Sequence, residues 1–243
     1  MANAGRLRYA DGVALQEGVR ERRQAREIPD TLLFVEHDPV YTKGRRSEPG
    51  HLPMGEDWYR MQGVEVEETD RGGQVTYHGP GQLVGYPIMQ IDDVLVYVRT
   101  MEGALISALA DERVDAEVRQ GLTGVWVEDR KIGSIGVHIS RGVTTHGFAI
   151  NVDNDLQPFE WIVPCGIENV RMTSLYKEKG RSPFPSPTPT GFEGFSLVKE
   201  MGSVPIMKCF RKRVAWRFAE AYGLRQRLVS LERLLGAPVA SAA

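Results

Sequence analysis

Residues 124–152 read Gly124-Val125-Trp126-Val127-Glu128-Asp129-Arg130-Lys131-Ile132-Gly133-Ser134-Ile135-Gly136-Val137-His138-Ile139-Ser140-Arg141-Gly142-Val143-Thr144-Thr145-His146-Gly147-Phe148-Ala149-Ile150-Asn151-Val152. Three runs rich in β-branched and aromatic residues are separated by Glu128-Asp129-Arg130 and by Arg141-Gly142. That pattern predicts strands over Gly124–Glu128, Lys131–Ser140 and Val143–Val152, joined by tight hairpin turns. Consecutive hairpins mean antiparallel pairing, so this part of the chain lies in one sheet.

Outward from that meander the pattern alternates between strand and helix. Thr31-Leu32-Leu33-Phe34-Val35-Glu36-His37 is a short apolar run suited to a buried strand, broken by Asp38-Pro39. Val64–Glu67 alternates, and Gln82–Ile91 reads as a further strand. Residues 11–27 are rich in Arg, Glu, Gln and Ala and predict a helix. Asp92 or Asp93 is a candidate N-cap for a second, in which Val94, Val98, Met101, Leu105 and Leu109 recur on one face. Ser203, with Pro205 in the first turn, is expected to open a third, carrying the stripe Met207, Phe210, Val214 and Phe218. Residues 42–57 read as a loop. The expected class is α/β (α+β), a mixed sheet flanked by helices. We expect a single domain over 1–243, with a proline-rich loop over 177–200 and a C-terminal helical segment over 201–236. Four prolines fall within 181–190.

Bulk properties narrow the function. A formal net charge of -2 argues against a dedicated nucleic-acid binder. No apolar run is long enough to span a bilayer, and the arginines near the N-terminus are not followed by the apolar core of a secretory signal. The two cysteines, Cys165 and Cys209, suit a reducing, cytoplasmic setting. No Cys/His spacing suggests a metal.

Three segments carry candidate chemistry. Arg71-Gly72-Gly73-Gln74-Val75-Thr76-Tyr77-His78-Gly79-Pro80-Gly81-Gln82 packs four glycines, a cation and hydrogen-bonding side chains into one loop. Without Cβ atoms its backbone can approach a ligand closely. Pro164-Cys165-Gly166 places a thiol on irregular backbone. Lys131 opens a glycine-punctuated strand, and an ammonium near a thiol stabilises the thiolate. Small residues at Ser134-Ile135-Gly136 and Gly147-Phe148-Ala149, on strands that pair through the Arg141-Gly142 turn, suit a groove for an alkyl chain. Each feature alone also has a structural reading: a cysteine that packs, a lysine on a solvated hairpin tip, a satisfied histidine, ordinary turn glycines. His138 and His146 read as residues of the sheet faces, and Cys209 as a packed helix residue.

Taken together, the Arg71–Gln82 loop, Arg130-Lys131-Ile132 with Ile135-Gly136, Gly147-Phe148-Ala149-Ile150-Asn151 and Pro164-Cys165-Gly166-Ile167 resemble the octanoyl-[acyl-carrier-protein]:protein octanoyltransferases of lipoate biosynthesis. The likeness spans roughly residues 31–176. Gly133 stands where the family often has alanine. The resemblance implies a fold like the biotin- and lipoate-protein ligases. It implies an acyltransferase that moves an octanoyl group from acyl carrier protein to a lysine of lipoyl domains, those of 2-oxoacid dehydrogenase complexes and of glycine cleavage H protein. Cys165 matches the family's acyl-thioester nucleophile, and Lys131 the lysine that lowers its pKa and serves as acid and base. Arg71, Gly72, Gly73, Gln74, Val75, Thr76, Tyr77, His78, Ser134, Ile135, Gly136, Gly147, Phe148 and Ala149 match segments lining the acyl site. No cofactor is implied, since the donor's phosphopantetheine arm carries the octanoyl group. The rivals are an ATP-dependent ligase on the same fold, a transferase that shuttles acyl groups between protein domains, and a non-enzymatic acyl-binding module.

Overall fold

The computed structural model describes residues 1–167, 170–180 and 195–236, of which 195–205 are described by their backbone alone. The proline-rich stretch 181–190 lies outside the described residues. In chain order the strands are β1 (Ala2–Leu7), β2 (Thr31–His37), β3 (Val40–Lys43), β4 (Glu65–Glu68), β5 (Val75–His78), β6 (Gln82–Ile88), β7 (Glu117–Arg119), β8 (Leu122–Val127), β9 (Arg130–Ser140), β10 (Val143–Asn151) and β11 (Arg171–Met172). The helices are α1 (Tyr9–Gln24), α2 (Glu56–Met61), α3 (Val94–Ala110), α4 (Leu175–Glu178), α5 (Phe195–Ala221) and α6 (Leu231–Leu235).

Among the described residues the main sheet runs β1-β2-β6-β10-β9-β8-β7, with β11 beside β9, and a smaller sheet runs β4-β3-β5. The sheets are mixed: β1 lies parallel to β2 and β4 parallel to β3, while the β8–β9–β10 meander and the β10–β6–β2 ladder are antiparallel. Both faces of the main sheet are covered, which is why Thr31–Val35 is a continuous apolar run rather than an alternating one. Leu32 and Phe34 face a core shared with α3 and α5, whereas Leu33 and Val35 face a second core shared with α1. The smaller sheet has its own core around Tyr41, Tyr59, Val75, Tyr77 and Phe159.

Local signals place the elements well in the middle of the chain. Asp93 caps α3, its carboxylate accepting from Val96 N–H at 2.9 Å. Arg141 and Gly142 both adopt positive φ, 49° and 76°, as a two-residue hairpin turn requires. Met101, Leu105 and Leu109 are fully buried, as are Phe210 and, nearly so, Val214 and Phe218.

Several expectations are corrected. Val94 is exposed, as are Leu95 and Val96 beside it in the first turn of α3, and burial begins at Tyr97. Residues 42–57 are not one loop: Val40–Lys43 is the central strand of the smaller sheet, and Glu56–Met61 is helical. α5 begins at Phe195, so Ser203 and Pro205 lie inside it rather than at its start, and the helix reaches into the 177–200 range assigned to a loop. Cys209 is exposed, since it lies off the Met207–Phe210–Val214–Phe218 stripe. The strand Ala2–Leu7 has no local signal; it forms by parallel pairing with β2.

Candidate active site

Cys165 and Lys131 reach each other from opposite sides of a cleft. Lys131 is the second residue of β9 and is 2% exposed, so it is not a solvated hairpin tip. Its neighbour Arg130 turns the other way and pairs with Glu178 at 3.0 Å. The period of two along a strand separates them. Cys165 lies in a short 3₁₀ turn after Pro164, with φ 57° and ψ 18°. A left-handed non-glycine residue costs on the order of 1 kcal/mol or more, and such strain is typical of functional positions.

Lys131 Nζ donates to Cys165 Sγ at 3.2 Å, and Ser134 Oγ is 3.9 Å from the same sulfur. Burial alone pushes the thiol's pKa up. The charge of Lys131, its hydrogen bond and the charge of Arg71 outweigh burial, and the net pKa is lowered from its ordinary value. Thiolate is thereby favoured, and thiolate is the nucleophilic form. Lys131 Nζ also lies 5.4 Å from the Trp126 ring centroid, a cation–π contact in a buried setting.

Two glycines make this geometry possible. Gly124, on the neighbouring strand, has φ 128°, and a Cβ there would stand 2.7 Å from Lys131 Cε and 2.5 Å from Gly133 O. Its N–H is held by the buried carboxylate of Glu102 at 2.9 Å. Gly166 has φ 63°, and a Cβ there would run into the Gln74 amide.

Arg71 is the buried cation of the glycine-rich loop. Its guanidinium donates to the Thr42 carbonyl at 2.7 Å, to Thr42 Oγ1 at 2.7 and 3.2 Å, and to the Gly72 carbonyl at 3.1 Å. Among the described residues no carboxylate is bonded to it, and its field acts on Cys165. The loop itself is pinned to the sheet by Gly72 N–H on Val137 O at 2.9 Å.

A cavity of about 320 Å³ opens beside Cys165 and Lys131. Arg71, Gly73, Gln74, Thr76 and His78 line it from the loop and β5. Ser134, Ile135, Gly136, Gly147, Phe148 and Ala149 line it from the main sheet, where β9 and β10 pair Ser134 with Ala149 and Gly136 with Gly147. Three residues of the expected set do not reach it. Val75 and Tyr77 point the other way from β5 into the smaller sheet's core, and Gly72 is spent on the loop's anchorage to β9. Seven lining residues were not foreseen as site residues: Tyr9, Val84, Tyr86, Gly121, Leu122, Thr123 and His146. His146, read as a residue of a sheet face, has φ 57° within β10 while it stays paired with Val137, and it lines the cavity. Arg46 lines the mouth.

This fold is shared with solved lipoate ligases. A lipoate-protein ligase A bound with ATP superposes with a TM-score of 0.63 over 96% of this chain and 90% of that one, at 17% identity. The bi-partite lipoate protein ligase of Thermoplasma acidophilum, solved in a study with its E2 lipoyl domain, gives 0.60 over 97% and 89%, at 18% identity. The family model described as the lipoyl protein ligase A/B catalytic domain matches residues 8–186, and the chain belongs to that family. Its sequence relatives narrow the class. The octanoyltransferase of Acidobacterium capsulatum is 46% identical over 195 residues, 73% of this chain and 79% of that protein. That of Rubrobacter xylanophilus is 47% identical over 177 residues, 71% and 80%, and that of Dictyoglomus thermophilum 40% over 197 residues, 81% and 84%. Within the family the chain groups with the octanoyltransferases, and its activity is acyl transfer, in protein lipoylation.

Proposed function

We propose that Cys165 carries the octanoyl group as a thioester, taken from acyl carrier protein and passed to the lysine of a lipoyl domain, with Lys131 as the proton carrier. The observation that carries this reading is the 3.2 Å contact between Lys131 Nζ and Cys165 Sγ at the edge of an acyl-sized cavity. The Cys165 thiolate attacks the donor thioester carbonyl. As the tetrahedral adduct collapses, the phosphopantetheine sulfur leaves and takes a proton from the Lys131 ammonium. The neutral Lys131 amine then accepts a proton from the acceptor lysine as that amine attacks the Cys165 thioester. Amide forms, thiolate leaves, and the starting Lys131 ammonium and Cys165 thiolate are restored. The cycle needs no ATP and no cofactor, because one thioester replaces another before the amide is made.

The oxyanion of each adduct needs donors. Gly72 N–H is committed to Val137 O and Gly166 N–H to Val163 O at 3.2 Å, so the role falls to the N–H of Cys165 or Gly73. Arg46, exposed at the cavity mouth, and Arg45, bonded to His138 at 3.1 Å, offer positive charge to an acidic carrier. The reducing cytoplasm suits the two free thiols. Among the described residues no helix is long and apolar enough to cross a membrane.

The test is incubation with octanoyl-acyl carrier protein without ATP, followed by intact mass analysis. A hydroxylamine-labile octanoyl adduct on Cys165 is expected. Absence of the adduct, with lipoyl-domain modification only when ATP and free acid are supplied, would assign the chain to the ligase reaction instead.

A further inference from the structure

The cavity has a wall of aromatic rings that the chemistry above does not use. Tyr9, His78, Tyr86 and His146 line it; the first three rings pack around His37, and His146 packs on Tyr86. Tyr9 stacks on His78 with centroids 6.1 Å apart. His37 lies 5.2 Å from Tyr9, 5.9 Å from His78 and 5.9 Å from Tyr86, and Tyr86 meets His146 edge-on at 6.3 Å.

Each ring is tied by its own hydrogen bond. His37 Nδ1 donates to Leu7 O at 3.1 Å, which leaves Nε2 to accept from Tyr86 O–H at 2.6 Å. His78 Nδ1 donates to Gln82 Oε1 at 2.7 Å, since the Gln82 amide nitrogen is committed to Tyr77 O and Asn151 Oδ1. Tyr9 O–H donates to Thr69 Oγ1 at 3.1 Å, and His146 Nε2 donates to Asp70 at 2.8 Å. Swinging a ring aside leaves a buried polar atom without its partner, so the wall does not yield to a longer ligand. Burial holds His37 and His78 neutral, with pKa values lowered to about 4 and about 3, so an uncharged His78 ring meets the cavity with an uncharged His37 behind it.

The strand register gives the depth. Ser134, 3.9 Å from the nucleophilic sulfur, pairs with Ala149 on β10. His146 is three residues back along that strand, which is about 10 Å at the rise of an extended chain. An extended eight-carbon acyl chain, a zigzag of ~1.5 Å bonds, spans about 9 Å from carbonyl to terminal methyl.

We infer that the ring wall of Tyr9, His78, Tyr86 and His146 is the length gauge of the acyl site, stopping a saturated chain at eight carbons. The inference rests on the reading that the chain held at Cys165 lies in this cavity. Tyr86 and His146 are specificity-determining positions under it, and they take no part in the proton transfers.

The test is calorimetric binding of saturated fatty acids from six to twelve carbons to the full chain, which does not depend on a thioester. In the wild-type protein affinity is expected to rise about fourfold per methylene up to eight carbons and then to stop rising or fall. In Tyr86→Ala and in His146→Gly, where the positive φ suits glycine, the break moves to ten carbons or beyond. In Tyr86→Phe, which keeps the ring, it stays at eight. A wild-type series with no break near eight carbons, or a break that stays put in whichever enlarged variant folds, overturns the gauge. A break that moves while no Cys165 adduct forms with octanoyl-acyl carrier protein keeps the gauge and removes the thioester. An adduct with an unmoved break does the reverse.

Discussion

Lys131 Nζ and Cys165 Sγ are 3.2 Å apart although 34 positions separate the two residues in the chain. The lysine comes from the start of a central strand and the cysteine from a strained turn between β10 and β11. Neither residue is explained by packing alone, because a buried ammonium and a thiol in the left-handed region both cost free energy. Cys165→Ala is expected to reduce octanoyl transfer by more than about 10³-fold while leaving the thermal midpoint within a few degrees. Transfer at the wild-type rate would sink the covalent route.

Replacing the lysine tests the electrostatics. In Lys131→Met the burial of Cys165 is no longer offset, so its pKa rises and the thiolate fraction at pH 7 falls. Alkylation by iodoacetamide, a neutral reagent, is expected to slow at least about tenfold, with the pH profile moving to higher pH. The same rate and the same inflection in both proteins would remove the pKa-lowering role.

Ser134 provides a contrast. Its hydroxyl is 3.9 Å from the sulfur, a long and weak contact beside that of Lys131. Ser134→Ala is expected to change the alkylation rate by less than about threefold, in proportion to a lost marginal hydrogen bond. A tenfold effect in stopped-flow alkylation would show that the hydroxyl is a principal partner of the thiolate.

Gly124 supports the site from behind. A Cβ at this position meets Lys131 Cε and the Gly133 carbonyl, and φ is 128°. Gly124→Ala is expected to destabilise the fold by about 2 kcal/mol and to slow Cys165 alkylation by displacing the ammonium. Urea unfolding and the iodoacetamide rate check the two effects. An unchanged midpoint together with an unchanged rate would show that the strand absorbs the methyl group freely.

The buried imidazoles set an acid limit. His37 and His78 have folded-state pKa values lowered to about 4 and about 3, mainly by burial. The unfolded chain, with ordinary histidines near pKa 6.5, binds more protons below that pH. Stability therefore rises with pH across this window. It is whole above about pH 6.5 and is lost as pH falls toward 4, by on the order of 3 kcal/mol for each histidine. His37→Gln, expected to keep a polar partner for Tyr86, should flatten the slope of urea midpoint against pH between 4 and 6.5. A slope equal to the wild type would assign the acid loss to other groups.

Much of the frame was legible in the residues. The meander from Leu122 to Asn151, the Asp93 cap and the buried stripe of α5 follow from periodicity, turn chemistry and capping, all short-range effects. The Ala2–Leu7 strand was not, because it is made by pairing with Thr31–His37 and by no propensity of its own. Val40–Lys43 was masked by the glycines, prolines and charges that follow it, which punctuate a sequence whether or not a strand precedes them.

The site divides along the same line. The chain itself named a thiol, a lysine, a glycine-rich loop and small-residue strands in an order that is specific to one family, and so determined the kind of chemistry. Only the tertiary structure decided which groups meet. It turned Lys131 inward and Arg130 outward, sent Val75 and Tyr77 away from the cavity, and gathered Tyr9, His37, His78, Tyr86 and His146 into one wall. Those five rings come from one helix and four strands distributed over most of the described chain. Local pattern cannot bring them together, because their proximity is a consequence of strand order and register, which the burial of both sheet faces selects.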